Sequence, residues 1–284
     1  MRVLVTGGSG KAGAYVVRAL AEAGHDLVHV DQTPPREALP GTFIKAALTD
    51  SGAVYDVIAQ TRPDALCHVA ANPAPEGDPR QQVFANNVLS TYHVFQAAGD
   101  FAVKRFVYAS SEMATGWLTT DQLPARFPFD ETDRVDTPNA YALSKYLGEV
   151  IADSMTRRYP DTAIVSLRIN NVITPETYPW LDARRADYPA GGSGNFWSYI
   201  DARDVATAFV AAVDGATSGH EVYLIAAADT CLDTPTRQAL RDRFGEAVLE
   251  RISPELDEYA SVFDCRKIAR ALGWRAQHSW RDNK

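Results

Sequence analysis

Tyr141 and Lys145 stand four residues apart in 138-PNAYALSKYLGE-149. On a helix that spacing puts both side chains on one face, ~6 Å apart along the axis. An ammonium ~6 Å from a phenol, at an effective dielectric of ~20, is worth about 2.8 kcal/mol, or roughly two pKa units. The pair could therefore give a tyrosine partly ionised near neutrality, able to act as a general base, or simply mark an amphipathic helix with a surface lysine. With 12 Tyr and 6 Lys in 284 positions, such a pair arises by chance roughly 0.25 times. Its meaning depends on what the rest of the chain places beside it.

The first candidate neighbour lies at the start. RVLVT runs into 6-TGGSGKAG-13, where Gly7, Gly10 and Gly13 recur every third residue before a helical pattern. Glycine permits a tight turn and close backbone approach, so the free N–H groups of the helix start can hold a pyrophosphate. A plain turn needs the same residues, but the strand–loop–helix setting favours the dinucleotide. Asp31 closes the next apolar run 18 residues after Gly13. A carboxylate there accepts hydrogen bonds from the adenosine ribose and repels a 2′-phosphate, which points to NAD over NADP. Asp31 also suits a simple strand-end turn, and Lys11 and Arg36 offset part of its charge.

These residues need a scaffold. Apolar runs at 2–6, 26–31, 42–45, 65–71, 105–110 and 163–170 alternate with helical patterns at 11–23, 50–61, 80–98 and 138–158. Continuous apolar strands alternating with helices predict an α/β fold, a doubly wound parallel sheet of Rossmann type. After Asn171 the rhythm loosens. Residues 173–194 are rich in Pro and Gly and read as loop; a helix at 203–213, a strand at 221–226 and two late helical segments follow. The expected division is a nucleotide-binding domain over 1–171 and a smaller, loop-rich substrate-binding part over 172–284 that packs back on the first.

The totals exclude several classes. A net charge of −8 argues against nucleic-acid or anionic-membrane surfaces, which need positive charge. No apolar run approaches ~20 residues, so no membrane-spanning helix is expected. Cys67, Cys231 and Cys265 are few, odd in number and far apart, which fits a reducing compartment, the cytoplasm. Met1 leads directly into RVLVTGG, so no signal peptide is expected. The six histidines meet no Cys or Asp at ligand spacing, and no metal is expected.

Taken together, TGGSGKAG, Asp31, HVAA (68–71), NNVLST (86–91), YASSEMATG (108–116), YALSK (141–145), LRINNV (167–172), YIDARDVATA (199–208), GHEVYLIA (219–226) and IARALGW (268–274) resemble the extended short-chain dehydrogenase/reductase family. The similarity is to its branch of NAD-dependent sugar epimerases and dehydratases, in the short format of uronate dehydrogenases. The resemblance implies Ser111, Tyr141 and Lys145 as the catalytic set, with Ser111 chosen over Ser110 by counting back from Gly116. It implies that Asn87 braces the cofactor site, that Leu48, Ala70, Ala71 and the backbone at 169–170 line the dinucleotide, and that Lys145 holds the nicotinamide ribose. Asn171 and Glu112 would sit beside a sugar-type substrate. A homodimer through the helices at 80–98 and 138–158 follows from the resemblance alone.

Three departures from the family pattern shape the expectation. Ala47 stands where an adenine-reading Asp is usual, and Asp50 is expected to cap the next helix. Glu112 is followed by Met113, which cannot exchange a proton, so water elimination is disfavoured. The span from Arg168 to Tyr199 is short for gripping a nucleoside diphosphate sugar and suits a free sugar or sugar acid. In it Arg184 and Arg185 could fork onto a carboxylate or phosphate, or be solvated; Trp180 and Trp197 could close over a sugar ring or fill core. The expected activity is NAD-dependent hydride transfer at a sugar carbinol, either as an epimerase or as a dehydrogenase releasing NADH. A non-catalytic NAD-binding regulator is the alternative of a different class.

Overall fold

The computed structural model describes residues 1–73, 78–117, 122–133, 137 and 139–283. Six strands and four helices open the chain: β1 (Arg2–Thr6), α1 (Lys11–Glu22), β2 (Asp26–Asp31), β3 (Thr42–Lys45), α2 (Ser51–Thr61), β4 (Ala65–His68), α3 (Arg80–Asp100), β5 (Arg105–Ser111), α4 (Ala140–Arg158) and β6 (Ala163–Ile169). Alternate residues of β1 explain the two-sided burial. Val3 and Val5 face one helical layer and Leu4 the other, and all three are buried. The first layer packs α1, through Val16, Val17 and Leu20, with α6 (Ala202–Asp214), through Val205, Phe209 and Val213. The second packs α2, α3 and α4, through Ile58, Phe95, Ala98 and Met155, onto Leu66, Phe106 and Tyr108.

Among the described residues the sheet has seven parallel strands in the order β3-β2-β1-β4-β5-β6-β9, with β9 spanning His220–Ile225. The winding direction reverses between β1 and β4. At such a switch point the flanking connections diverge and leave a crevice beyond the carboxyl ends of the strands. This is the doubly wound parallel sheet that the sequence predicts.

Two predicted boundaries move. The run 65–71 leaves the sheet after His68, since the chain turns across Gly7 to reach the crevice. Residues 173–194 are not all loop: Pro179–Ala186 forms α5. Pro179 stands at its first turn, Asp182 lies near its N-terminus, and Arg184 and Arg185 lie in its last turn, as the helix dipole favours. Only Leu181 of α5 is buried, so no apolar period marked it in the sequence. Asp50 caps α2 as expected, accepting from the Ala53 N–H at 3.2 Å. Asn139 caps α4 by accepting from the Ala142 N–H at 2.8 Å; Pro138, the first residue of the predicted helix, lies outside the described residues.

A third core gathers residues from both halves of the chain. Trp117, Phe127 and Phe129 meet Phe196, Trp197, Tyr199, Leu240 and Trp280, all buried. A two-stranded parallel pair, β7 (Val172–Ile173) and β8 (Ile200–Asp201), links this lobe to the main sheet.

Helix α4 sits close on the sheet because Gly148 lies against the Tyr108 ring, where a Cβ would collide with the phenol. The next residue, Glu149, is held by Arg168 of β6 through Nε and Nη2 at 3.0 and 2.9 Å and accepts from Ser110 Oγ at 2.6 Å. Both partners of this ion pair are about 5% exposed. Replacing Arg168 by Met strands a buried carboxylate, and the expected loss is about 3–5 kcal/mol in urea unfolding. The double change Arg168→Met/Glu149→Leu should restore most of it.

Candidate active site

The crevice at the switch point is a cavity of about 990 Å³ running from Asp31 to Gly194. Its first wall is the turn after β1. Gly7 adopts φ +74°, and a Cβ there would sit 2.5 Å from the Ala70 nitrogen; a Cβ on Gly13 would run into the Gly7 carbonyl. The glycines thus let the β1 turn, the start of α1 and the chain after β4 close on one another. Gly10 caps α1 with no side-chain hydrogen bond, and no acidic residue lies in the first turn. The N–H groups there remain directed at the crevice, as an anion requires. Asp31 accepts from the Ser9 N–H at 3.1 Å and the Gln32 N–H at 2.7 Å, and lines the cavity with Gln32 and Thr33. Leu48, Ala46, Ala70 and Ala71 supply apolar lining. A cradle without Cβ atoms, an uncapped helix start and a carboxylate one strand away fit a dinucleotide.

Two expected cofactor residues sit differently. Lys11 lines the cavity, but its Nζ donates to the Val172 carbonyl at 2.5 Å, joining the α1 turn to β7. Burial lowers its pKa. Asn87 is buried behind the wall. Its Oδ1 accepts from the Asn72 N–H at 2.7 Å, and its Nδ2 donates to the Asn72 carbonyl and to Ser144 Oγ, each at 3.2 Å. It ties the segment after β4 to α4, while Asn86 and Ser90 line the cavity instead.

The floor carries the hydroxyls. Ser111 ends β5, its Oγ accepting from the Met113 N–H at 3.2 Å, and it shares a hydrogen bond with Tyr141. Ser110 points to the opposite face and donates to Glu149, which separates the two serines. Lys145 donates from Nζ to the Ala109 carbonyl at 2.7 Å and lies 5.8 Å from the centre of the Tyr141 ring. Ser111, Tyr141 and Lys145 therefore meet on one surface of the cavity.

Their electrostatics correct the expectation drawn from spacing. Burial pushes the Tyr141 phenol up to about 12, opposed by the Ser111 hydrogen bond and reinforced by Glu112. Burial pulls Lys145 down to about 7. The attraction between the two ions was the only contribution that helical spacing revealed. Desolvation of both outweighs it, so the phenol carries its proton at neutral pH.

Beyond the floor lies a polar wall. Glu112 begins the turn after β5 and is buried; burial raises its carboxyl to about 8, against the hydrogen bond from Asn195, the charge of Arg184 and the backbone of Asn171. Asn195 is the hub that the sequence did not reveal. Its Nδ2 donates to Glu112 Oε1 and Asn170 Oδ1 at 3.3 Å and to the Ser198 carbonyl at 2.9 Å, and its Oδ1 accepts from Arg184. Asn171 lines the cavity beside Asn170.

The tandem arginines diverge. Arg184 faces the cavity while bonding the Gly192 and Ser198 carbonyls. Arg185 pairs with Asp182 and stacks 4.0 Å from the Trp280 ring centre, away from the crevice. The tryptophans also separate: Trp180 is 52% exposed at the cavity mouth, whereas Trp197 is fully buried in the third core.

The chain is similar to proteins of known class. A relative from Haloferax volcanii named NAD-dependent glucose-6-phosphate dehydrogenase is 32% identical, over 60% of this chain and 68% of its own. A UDP-glucose 4-epimerase from Erwinia amylovora is 24% identical, over 97% and 93% of the two chains. Among solved structures, a UDP-glucose 4-epimerase from Bifidobacterium longum in complex with NAD+ and UDP superposes with a TM-score of 0.75 at 21% identity, covering 99% of this chain and 95% of that one. The sequence profile described as the NAD dependent epimerase/dehydratase family matches residues 3–226. Since that match runs from β1 through β9, the last strand of the main sheet, the chain belongs to the NAD dependent epimerase/dehydratase family, and its cofactor is NAD.

Proposed function

We propose that this chain is an NAD-dependent oxidoreductase acting on a carbinol of a sugar-type substrate, with Tyr141 as the general base. The observation that carries this reading is the meeting of Ser111, Tyr141 and Lys145 on the floor of the cavity that the glycine cradle opens. Ser111 Oγ holds the carbinol oxygen, and Tyr141 Oη takes its proton. Lys145 lies close enough to stabilise the phenolate as it forms and to hold a ribose hydroxyl. NAD held by the glycine cradle and Asp31 would supply the hydride acceptor. The similarity to a sugar-phosphate dehydrogenase and to nucleotide-sugar epimerases supports a sugar-type substrate.

The fate of the hydride divides the reading. An epimerase returns it to the substrate; a dehydrogenase releases NADH. The short run from Arg168 to Tyr199, folded into α5 and the Asn195 loop, supports a small sugar over a nucleotide sugar, and with it the dehydrogenase. Met113 after Glu112 leaves dehydration without the second proton-exchanging side chain. NADH absorbance during incubation with sugars separates the two outcomes, and tight NAD binding with no turnover of any sugar would favour the regulatory protein.

We also propose a homodimer contact through α3 and α4, where Leu89, Tyr92 and Val150 are more than 40% exposed. Among the described residues no helix is long and apolar enough to cross a membrane. Tyr92→Glu is expected to shift the sedimentation coefficient to that of a single chain; an unchanged value removes this contact.

Tyr141→Phe is expected to lower kcat by about 10²-fold or more while NAD affinity stays nearly unchanged. The base must lose its proton before it works, and burial holds the phenol above the neutral range. In the wild type, kcat at saturating substrate should therefore climb as pH rises. A flat profile, or a near-normal rate in the variant, would remove Tyr141 from this role.

A further inference from the structure

Three polar atoms at the substrate end are buried without a partner among the described residues: Glu112 Oε2, Asn170 Nδ2 and Asn171 Nδ2. All three residues line the one cavity. A buried polar atom left unpaired costs ~1–3 kcal/mol, so three of them on one wall point to a ligand that supplies the missing partners. Asn195 fixes their arrangement by bonding Glu112 Oε1 and Asn170 Oδ1 with the same amide nitrogen. Glu112 is 4% exposed and Asn170 2%, so bulk water cannot serve them freely.

The charged and titratable groups facing Glu112 are few. Arg184 approaches from α5 and favours its ionised form, while Tyr141 and Lys145 stand opposite on α4. Asn170, Asn171 and Asn195 carry no charge. Burial is the largest influence on the carboxyl and holds it uncharged at neutrality, with its midpoint at about 8. An ionised Glu112 would cancel the charge of Arg184 and repel an anion. An uncharged one leaves the wall with the positive charge of Arg184.

Resting on the reading of the cavity as a sugar site, we propose that Glu112 is a specificity-determining residue that works as the neutral carboxylic acid. It donates from Oε2 to a substrate oxygen, beside the donors of Asn170 and Asn171, so that the subsite takes a monosaccharide bearing an anionic group, carboxylate or phosphate. Arg184 contributes charge more than hydrogen bonds, since its Nη2 is spent on Gly192 and Asn195.

The test is calorimetric binding of glucuronate, glucose 6-phosphate and glucose to protein loaded with NADH, which cannot accept a hydride. At about pH 6 one of the two anionic sugars should bind about tenfold tighter than glucose. That advantage should fall as pH rises through the Glu112 midpoint, because a carboxyl that must be protonated to work is lost above its pKa. Lys145 discharges over part of the same range in every sample, so the readout is the difference between wild type and Glu112→Gln. The Gln variant should keep the affinity at about pH 6 and lose about tenfold less of it by about pH 10.

Identical pH dependence in the two proteins, a tenfold loss in the Gln variant at low pH, or glucose binding as tightly as both anions would overturn the proposal. A measurement on the wild type alone guards against a misfolded variant. Infrared difference spectra should show a protonated-carboxyl band that disappears between about pH 6 and about pH 10; its absence also overturns the proposal. Because binding is read without turnover, a protein that never forms NADH yet shows the pH difference would discard the hydride-transfer reading and retain this subsite.

Discussion

The chemistry proposed for this protein depends on how dry the floor of its cavity is. Tyr141, Lys145 and Glu112 are all buried, and each is driven towards its uncharged form, the acids upward and the amine downward. A low-dielectric floor makes every remaining interaction stronger and every unpaired one costly. Each of the three groups keeps a hydrogen-bond partner. Ser111 bonds the phenol, Lys145 bonds the Ala109 carbonyl, and Glu112 is held through Asn195.

That dryness is a consequence of packing. Helix α4 approaches the sheet across Gly148, so no side chain holds it away from Tyr108. Glu149 would be intolerable so deep without Arg168, whose guanidinium meets both carboxylate oxygens. Asn87 then ties Ser144 of α4 to the chain after β4. The strands and helices that support the hydroxyls therefore also form the wall of the dinucleotide crevice, and the two halves of the site cannot shift independently. At the far end the Asn195 loop, the start of β7 and α5 close the cavity with hydrogen bonds in place of apolar contacts, as suits a polyhydroxylated ligand.

Much of this was legible in order along the chain because its causes are local. Continuous apolar runs separated by helical periods specify strands buried on both faces, and the parallel sheet follows. Gly7 and Gly13 between a strand and a helix specify a close backbone approach that leaves no room for a Cβ, and Asp31 follows at the end of the next strand. Asp50 announces a helix start by its own side chain. The Tyr141–Lys145 spacing correctly placed both groups on one face of α4, because helical geometry fixes it.

Tertiary structure alone decided the rest. The family resemblance selects Ser111 over Ser110, but the physical reason is tertiary: β5 and α4 set Ser110 on Glu149 and Ser111 on Tyr141. Asn87 and Lys11 became braces because of partners 15 and 161 positions away. Asn195 had no signal at all, standing in a glycine-rich loop whose partners lie just after β5, just after β6 and on α5. The pKa values of Tyr141 and Glu112 were equally hidden, because spacing reveals the pairwise attraction whereas desolvation is a property of everything packed around a group. What the sequence by itself determined is the backbone path and the residue types brought to the crevice, since propensity, periodicity and turn chemistry act over a few neighbours. Which protons those residues hold, and which of them face the ligand, was set only when distant segments excluded water from between them.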